Sequence, residues 1–417
     1  MEIQNIYKSL RLTLLFFFVL FYFSGEVLGQ DASDEEIVKR IVENVWNKTT
    51  YDFYDTQNDE VINEVNSETY STHIKIKSPY TNWKYWNGVI NIAMLRLHET
   101  FNNPQYREYV KRNYKFAFTY APVFKKHYED QRKHTYPFGQ YIVMNQLDDC
   151  GAMGAGLIEV NRFDPHKEYQ EYIYRAANYM ENEQDRLPDN TFVRSFPEKW
   201  TLWGDDLYMS VVFLARMGKY YNESKYFDDA IHQIKQFTNY LFHPCKELYY
   251  HCWYSDMEVN GVAHWGRCNG WIMMAQVELL DHLPMDHPER QELIDILRQQ
   301  IIGISRYQGI TGMWHQLLDK NDSYLETSCT AMFTCGIARA VNRGWIDDRY
   351  MSIALKGWEG IKSYVQPDGQ IKNICRGTTI RNDIIFYYER PKPLNDIHGI
   401  GAVLLAGNEI LKYNNNK

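Results

Sequence analysis

Apolar residues recur at three- and four-residue intervals along nearly all of this 417-residue chain, a spacing that makes helices the main building element. Ile37, Ile41, Val42 and Val45 mark a first helix, Trp86, Val89, Ile90, Met94 and Leu95 another, and Leu207, Val211, Phe213, Leu214 and Met217 continue the pattern. The same period predicts helices over 169–182, 226–240, 270–279, 290–304, 327–343, 347–364 and 398–411. Strand-like alternation is confined to 248–254 and 369–375, and no strand–helix series appears, which argues against a parallel α/β sheet. The sum is about a dozen helices in one array, joined by loops of roughly 5–20 residues and divided by no Pro/Ser-rich linker. The helices come in pairs, each followed by a loop rich in Trp, His, Asp and Gly. That rhythm predicts an all-α ring of helical hairpins whose inner helices line a shared axis, with site residues gathered at one mouth. The polar stretch 30–36 and the Asn-rich tail 413–417 read as mobile ends.

Charge and cysteine usage narrow the function. With 45 Lys and Arg against 53 Asp and Glu, the net charge of −8 opposes broad nucleic-acid binding. Lys8 and Arg11 precede an apolar run over 12–23, too short to span a bilayer comfortably and of the right size for a leader core, with Val27 and Gly29 just before Gln30. This predicts a signal peptide over 1–29, a single domain over 30–417, export to the periplasm or beyond, and no stable membrane insertion after cleavage; an uncleaved anchor is the alternative. Seven widely spaced cysteines are no disulfide framework, and Cys245 and Cys252 read better as free thiols than as a bridge. His243, Cys245, His251 and Cys252 match no zinc spacing.

Several clusters carry chemistry. Asp148-Asp149 and Asp205-Asp206 each sit where a loop enters a helix. One Asp of each pair is expected to cap its helix, and the other is free to project into a cavity. A carboxyl group there, near a second carboxylate and walled by Trp, is suited to general acid work. Arg267 lies between Trp265 and Trp271 in a Gly- and Asn-rich loop, a setting that suits a ligand carboxylate better than bulk solvent. His251, His264 and His398 are candidate hydrogen-bond donors to a sugar, each weighed against an ordinary structural histidine. The Gly-rich run 151–156 lacks the strand and the Lys-Ser/Thr ending of a nucleotide loop and reads as close helix packing.

Three of these pieces, in this order, carry a family resemblance. They are Trp203-Gly204-Asp205-Asp206-Leu207-Tyr208-Met209, Trp265-Gly266-Arg267-Cys268-Asn269-Gly270-Trp271, and Gly312-Met313-Trp314-His315-Gln316 with Glu326-Thr327-Ser328. Together they resemble the unsaturated rhamnogalacturonyl hydrolases and the related unsaturated glucuronyl hydrolases. The resemblance implies an (α/α)6 barrel that removes the terminal Δ4,5-unsaturated uronic acid from lyase-generated fragments, with no metal or organic cofactor. It places the principal acid/base carboxylate on Asp205 and a second on Asp148, with Asp149 one residue away as the alternative. It puts Tyr85, Trp203, His251, Trp265, Arg267, Trp271 and His398 around the sugar. Two positions depart: Arg194 stands where many relatives carry a His, and Val212 where a Pro is common. Arg194 points to a different anionic group beyond the first sugar and keeps a β-glucuronyl hydrolase acting on ulvan or glycosaminoglycan fragments in view. A non-catalytic sugar-binding toroid and a polysaccharide lyase are the readings from other classes.

Overall fold

The computed structural model describes residues 32–69, 71–131 and 136–416; the leader over 1–29 lies outside them. Among these described residues fourteen α-helices follow in order. They are α1 Asp34–Asn47, α2 Tyr85–Phe101, α3 Pro104–Gln131, α4 Gly139–Val143, α5 Leu147–Phe163, α6 Lys167–Asn178, α7 Asp205–Tyr221, α8 Ser224–Leu241, α9 Gly266–His282, α10 Arg290–Ser305, α11 Thr327–Asn342, α12 Met351–Lys362, α13 Ile384–Tyr388 and α14 Ile397–Asn415.

Six of them, α2, α5, α7, α9, α11 and α14, pack side by side in a closed circuit, α14 returning to α2. Outside each lies a partner: α3 on α2, α6 on α5, α8 on α7, α10 on α9, α12 on α11, and the first helix, α1, on the last. This is the (α/α)6 barrel. The sequence sorts the layers. Every residue of α9 from Gly266 to Leu280 is buried, as a helix covered on all sides requires. In α8 burial follows a stripe, Tyr226, Phe227, Ala230, Ile231, Ile234, Phe237 and Leu241, that seats one face on α7; each large side chain buried there contributes about 1.5–3 kcal/mol.

The strands are short. One three-stranded antiparallel sheet, absent from the sequence reading, joins β1 Phe53–Asp55, β2 Glu60–Ile62 and β3 Ile74–Ile76. A second matters for the site: β4 Thr201–Trp203 pairs with Cys252–Tyr254, Trp203 opposite Cys252, which pairs in turn with Val259–Asn260. The extended stretch expected over 248–254 is therefore two short strands, and that over 369–375 reduces to a single bridge between Val365 and Ile371. Two expectations at the ends need correction. Within 30–36, Ser33 and Glu36 form a reciprocal capping box that starts α1 at Asp34. The tail is helical through Asn415, and Asn414 Nδ2 donates to Asp34 Oδ2 at 3.0 Å. All seven cysteines are free, Cys252 buried and Cys245 exposed.

Candidate active site

Because an outer helix returns the chain each time, the inner helices all begin at one mouth, at Tyr85, Leu147, Asp205, Gly266, Thr327 and Ile397. Their free N–H groups and positive dipole ends favour an anionic ligand there. A cavity of about 450 Å³ opens at this mouth, and Tyr85, Asp148, Arg194, Trp203, Asp205 and His398 line it. Six of the ten site residues expected from sequence thus share one wall. The other four, His251, Trp265, Arg267 and Trp271, are fully buried around it. A second cavity of about 490 Å³, lined by Trp46, Tyr51, Tyr109 and Arg112 among others, lies between α1 and α3, and none of the expected site residues reaches it.

The acidic pairs divide their labour. Asp149 is the capping member of its pair: its Oδ2 accepts from the backbone N–H of Asn145 (2.8 Å) and Gln146 (3.1 Å). Burial pushes its carboxyl up to about 7 against those bonds. Asp148 turns into the cavity. In the other pair Asp205 lines the cavity, but Asp206 does not cap its helix. It is 1% exposed and accepts a bidentate grip from Arg194, at 2.7 Å from Nε and 2.6 Å from Nη2. Burial raises the Asp206 carboxyl above its ordinary range while Arg194 opposes the shift. Arg194 Nη2 also reaches Asp148 Oδ2 at 3.1 Å, and its guanidinium lies 4.3 Å over the Trp203 ring. Two of its three nitrogens are therefore committed to protein carboxylates, which accounts for the residue without an added sugar anion.

The β4 pairing sets Asp205 beside His251. Gly204 N–H donates to His251 O at 3.0 Å, and His251 Nε2 then stands 3.2 Å from Asp205 Oδ2. Both atoms are shielded from solvent and sit off the line of a formed hydrogen bond, so each is a buried polar atom awaiting a better-aligned partner. On its other side His251 Nδ1 is 2.7 Å from the Tyr387 hydroxyl. Trp203 and Trp265 flank the imidazole, with ring centroids at 5.8 and 4.7 Å.

The remaining expected residues fall into place around this centre. Arg267 stacks 4.6 Å from the Trp265 ring and donates to the carbonyls of Cys375 and Arg376, the latter at 2.9 Å. Trp271 stacks with Tyr208 at 4.6 Å and supports Tyr85 edge-on at 6.2 Å. His398 Nδ1 is tied to Asp396 Oδ1 at 2.5 Å, and burial lowers its proton affinity although Asp396 opposes this. His264 is structural: its Nδ1 meets Tyr249 O at 3.2 Å, and burial drops it to about 4. The third sequence motif supports the site from behind. Glu326, fully buried, accepts from Ser328 N, Cys329 N and Cys375 N, so it caps α11 and anchors the loop that carries Gly377, Thr378, Thr379 and Arg381 into the cavity wall. Sequence reasoning missed that wall, Gln146, the Phe196-Pro197 pair and Tyr387. None lies on a long periodic element, and only the aromatic run at 386–388 offered a hint.

A half-buried carboxyl group facing a buried imidazole nitrogen, beside Trp203 and flanked by a second carboxylate and a guanidinium, is equipped for proton transfer to a bound sugar. Among the described residues no three His, Cys, Asp or Glu side chains converge as a metal site, and no helix is long and apolar enough to cross a membrane.

Known proteins resemble this chain in sequence and in fold. The unsaturated rhamnogalacturonyl hydrolase YesR of Bacillus subtilis is 28% identical over 271 residues, 63% of this chain and 76% of that protein. An unsaturated 3S-rhamnoglycuronyl hydrolase of Formosa agariphila is 24% identical over 351 residues, 80% of this chain and 85% of its own length. A crystal structure from Klebsiella pneumoniae, described as a possible member of the GH105 family, superposes with a TM-score of 0.76 at 22% identity, covering 92% of this chain and 94% of that one; it speaks to the fold alone. The model of Glycosyl Hydrolase Family 88 matches residues 55–414, nearly the whole ring and every side chain of the cavity described above, so the chain belongs to that family and is a glycoside hydrolase of the unsaturated rhamnogalacturonyl and glucuronyl hydrolase kind.

Proposed function

We propose that this enzyme releases the terminal Δ4,5-unsaturated galacturonic acid from rhamnogalacturonan-derived oligosaccharides, with Asp205 as general acid and base. The observation that carries the reading is the placement of Asp205 in the cavity beside Trp203, 3.2 Å from His251 Nε2. The C4=C5 bond of such a sugar is an enol ether. Protonated Asp205 gives its proton to C4, and positive charge develops at C5 and the ring oxygen. Water adds at C5, its proton passing back to Asp205, and the resulting hemiketal opens, so that the remaining saccharide leaves from C1 as an alcohol. Asp148, held by Arg194, orients the sugar hydroxyls. Tyr85 and Trp203 shape the apolar wall, with Trp271 buried behind Tyr85. The positive ends of α9 and α14, with His398 in the wall and the Arg267 charge buried behind it, favour the substrate carboxylate.

The test is Asp205→Asn, which keeps the shape and removes the acid. Loss of the ultraviolet absorbance of the unsaturated uronate should slow on the order of 10²–10⁴-fold. A variant that bleaches substrate at the parental rate overturns the assignment. A second reading, an unsaturated glucuronyl hydrolase acting on ulvan fragments, draws on the likeness to the 3S-rhamnoglycuronyl hydrolase. Relative rates on lyase-digested pectin and lyase-digested ulvan separate the two. Export rests on the 1–29 leader alone, and amino-terminal sequencing of the mature protein tests it.

A further inference from the structure

Tyr387 is 1% exposed, sits on the five-residue α13, and has no path to substrate except through its neighbour His251. Its hydroxyl oxygen has two partners. One is the backbone N–H of Arg381 at 3.4 Å, which can only donate; the other is His251 Nδ1 at 2.7 Å. With an N–H already pointed at the oxygen, the hydroxyl's own hydrogen has Nδ1 as its acceptor. That leaves His251 neutral, with its proton on Nε2, the nitrogen that stands 3.2 Å from Asp205 Oδ2 but off the line of a formed hydrogen bond. A doubly protonated imidazole would force the phenol oxygen to accept twice and strand its hydrogen in a fully buried pocket.

We propose that Tyr387 is a positioning residue that locks His251 in the Nε2–H tautomer, so that His251 donates to Asp205 Oδ2 and leaves Oδ1 to carry the reactive proton. This rests on the acid–base reading of Asp205. The lock has a chemical purpose: the carbon of an enol ether is a weak base, and an acid protonates it more readily when its conjugate base is stabilised as it forms. An Nε2–H held against Oδ2 supplies that stabilisation, and a slight turn of the carboxyl completes the bond once substrate is seated. The opposite tautomer would present a lone pair to Asp205 and draw the proton away from the sugar. The two histidine nitrogens thus have fixed and different tasks.

The experiment combines a spectrum with kinetics. ¹⁵N-histidine labelling of the full chain, with His251 assigned by the signals lost in His251→Gln, reads its tautomer without any turnover. The expected pattern is a protonated Nε2 and a bare Nδ1, converting to a mixture in Tyr387→Phe. In the same variant kcat should fall roughly 10- to 100-fold, with KM changed by less than about threefold. The glutamine of His251→Gln offers Asp205 an N–H that needs no tyrosine, so adding Tyr387→Phe to it should cost less than about twofold further. A protonated Nδ1 in the parent, or equal losses from Tyr387→Phe in both backgrounds, overturns the proposal. The outcome is separable from that of the general assignment: if Asp205→Asn stays active the hydrolytic chemistry fails, while the histidine spectrum still decides the tautomer.

Discussion

Arg194 touches three carboxylate oxygens, two on Asp206 and one on Asp148, and lies over Trp203. Removing it strands Asp206 as a buried, unpaired acid. Breaking one partner of such a pair costs about 3–5 kcal/mol, whereas replacing both with neutral groups of similar size costs far less. Arg194→Met should therefore lower the urea midpoint sharply, and Arg194→Met with Asp206→Asn should recover most of the loss. Unchanged stability in the single variant, with only weakened substrate binding, would return Arg194 to the role of a substrate anchor. The two Asp-Asp pairs were visible in the sequence, and so was the entry of one member of each into the cavity; the helix capping expected of the other holds for Asp149 and fails for Asp206. Periodicity did not show which member does which, and only the family resemblance pointed to Asp148 and Asp205. Adjacent helical residues point about 100° apart, so the assignment depends on where each helix starts to within one residue, and sequence periodicity does not give starts that finely. The task of Asp206 was hidden for a further reason, since its partner Arg194 lies on a loop with no periodic signal of its own.

Helix α5 shows how close the inner layer packs. A Cβ on Gly151 would lie 1.5 Å from Met209 O of α7, and one on Gly88 of α2 2.4 Å from the Ala152 carbonyl carbon of α5. Gly151 and Gly88 bring the backbones of three inner helices together, while Gly154 and Gly156 make room for the Phe213 and Tyr114 side chains, in keeping with the packing role read for the run 151–156. Gly151→Ala puts a methyl group against main chain that cannot move aside, so destabilisation at or beyond the ~1–3 kcal/mol range for overpacking is expected. It should show as a lowered thermal midpoint and a loss of soluble expression. A midpoint within error of the parent would mean the ring opens more readily than its geometry implies. Among the elements themselves, long periodic helices such as α8, α10 and α11 were legible to within a few residues. The small N-terminal sheet was not: three-residue strands carry too little alternation to register.

At the scale of the whole molecule, each inner helix contributes one charged residue eleven or twelve positions from its start, and the signs alternate: Arg96, Glu159, Arg216, Glu278, Arg339 and Glu409. Ion pairs link them in sequence at 3.4, 3.1, 2.9, 2.6 and 3.3 Å, and Thr100 Oγ1 closes toward α14 through Asn408 at 2.7 Å. The girdle lies about 17–18 Å along the axis from the cavity mouth, by the rise of an α-helix. Exchanging any two neighbouring helices would bring like charges together, so the alternation disfavours such misordered neighbours as well as helping to hold the ring. Glu278→Gln retains the shape but leaves Arg216 and Arg339 buried without their shared counter-ion; a loss of about 3–5 kcal/mol in chemical denaturation is expected, with kcat little altered at low temperature. An unchanged denaturation midpoint would show that the charges are individually dispensable.

The last hairpin is assembled from opposite ends of the chain, α14 on the inside and α1 on the outside, and Asp34 at the start of α1 bonds to Trp358, Lys362 and Asn414. During synthesis α1 leaves the ribosome long before α14 and must therefore wait, its apolar stripe uncovered, until α14 emerges. The mouth with its aspartates takes shape only when that late clasp shuts, so an incompletely made copy exposes greasy surface and has no means of cutting sugar.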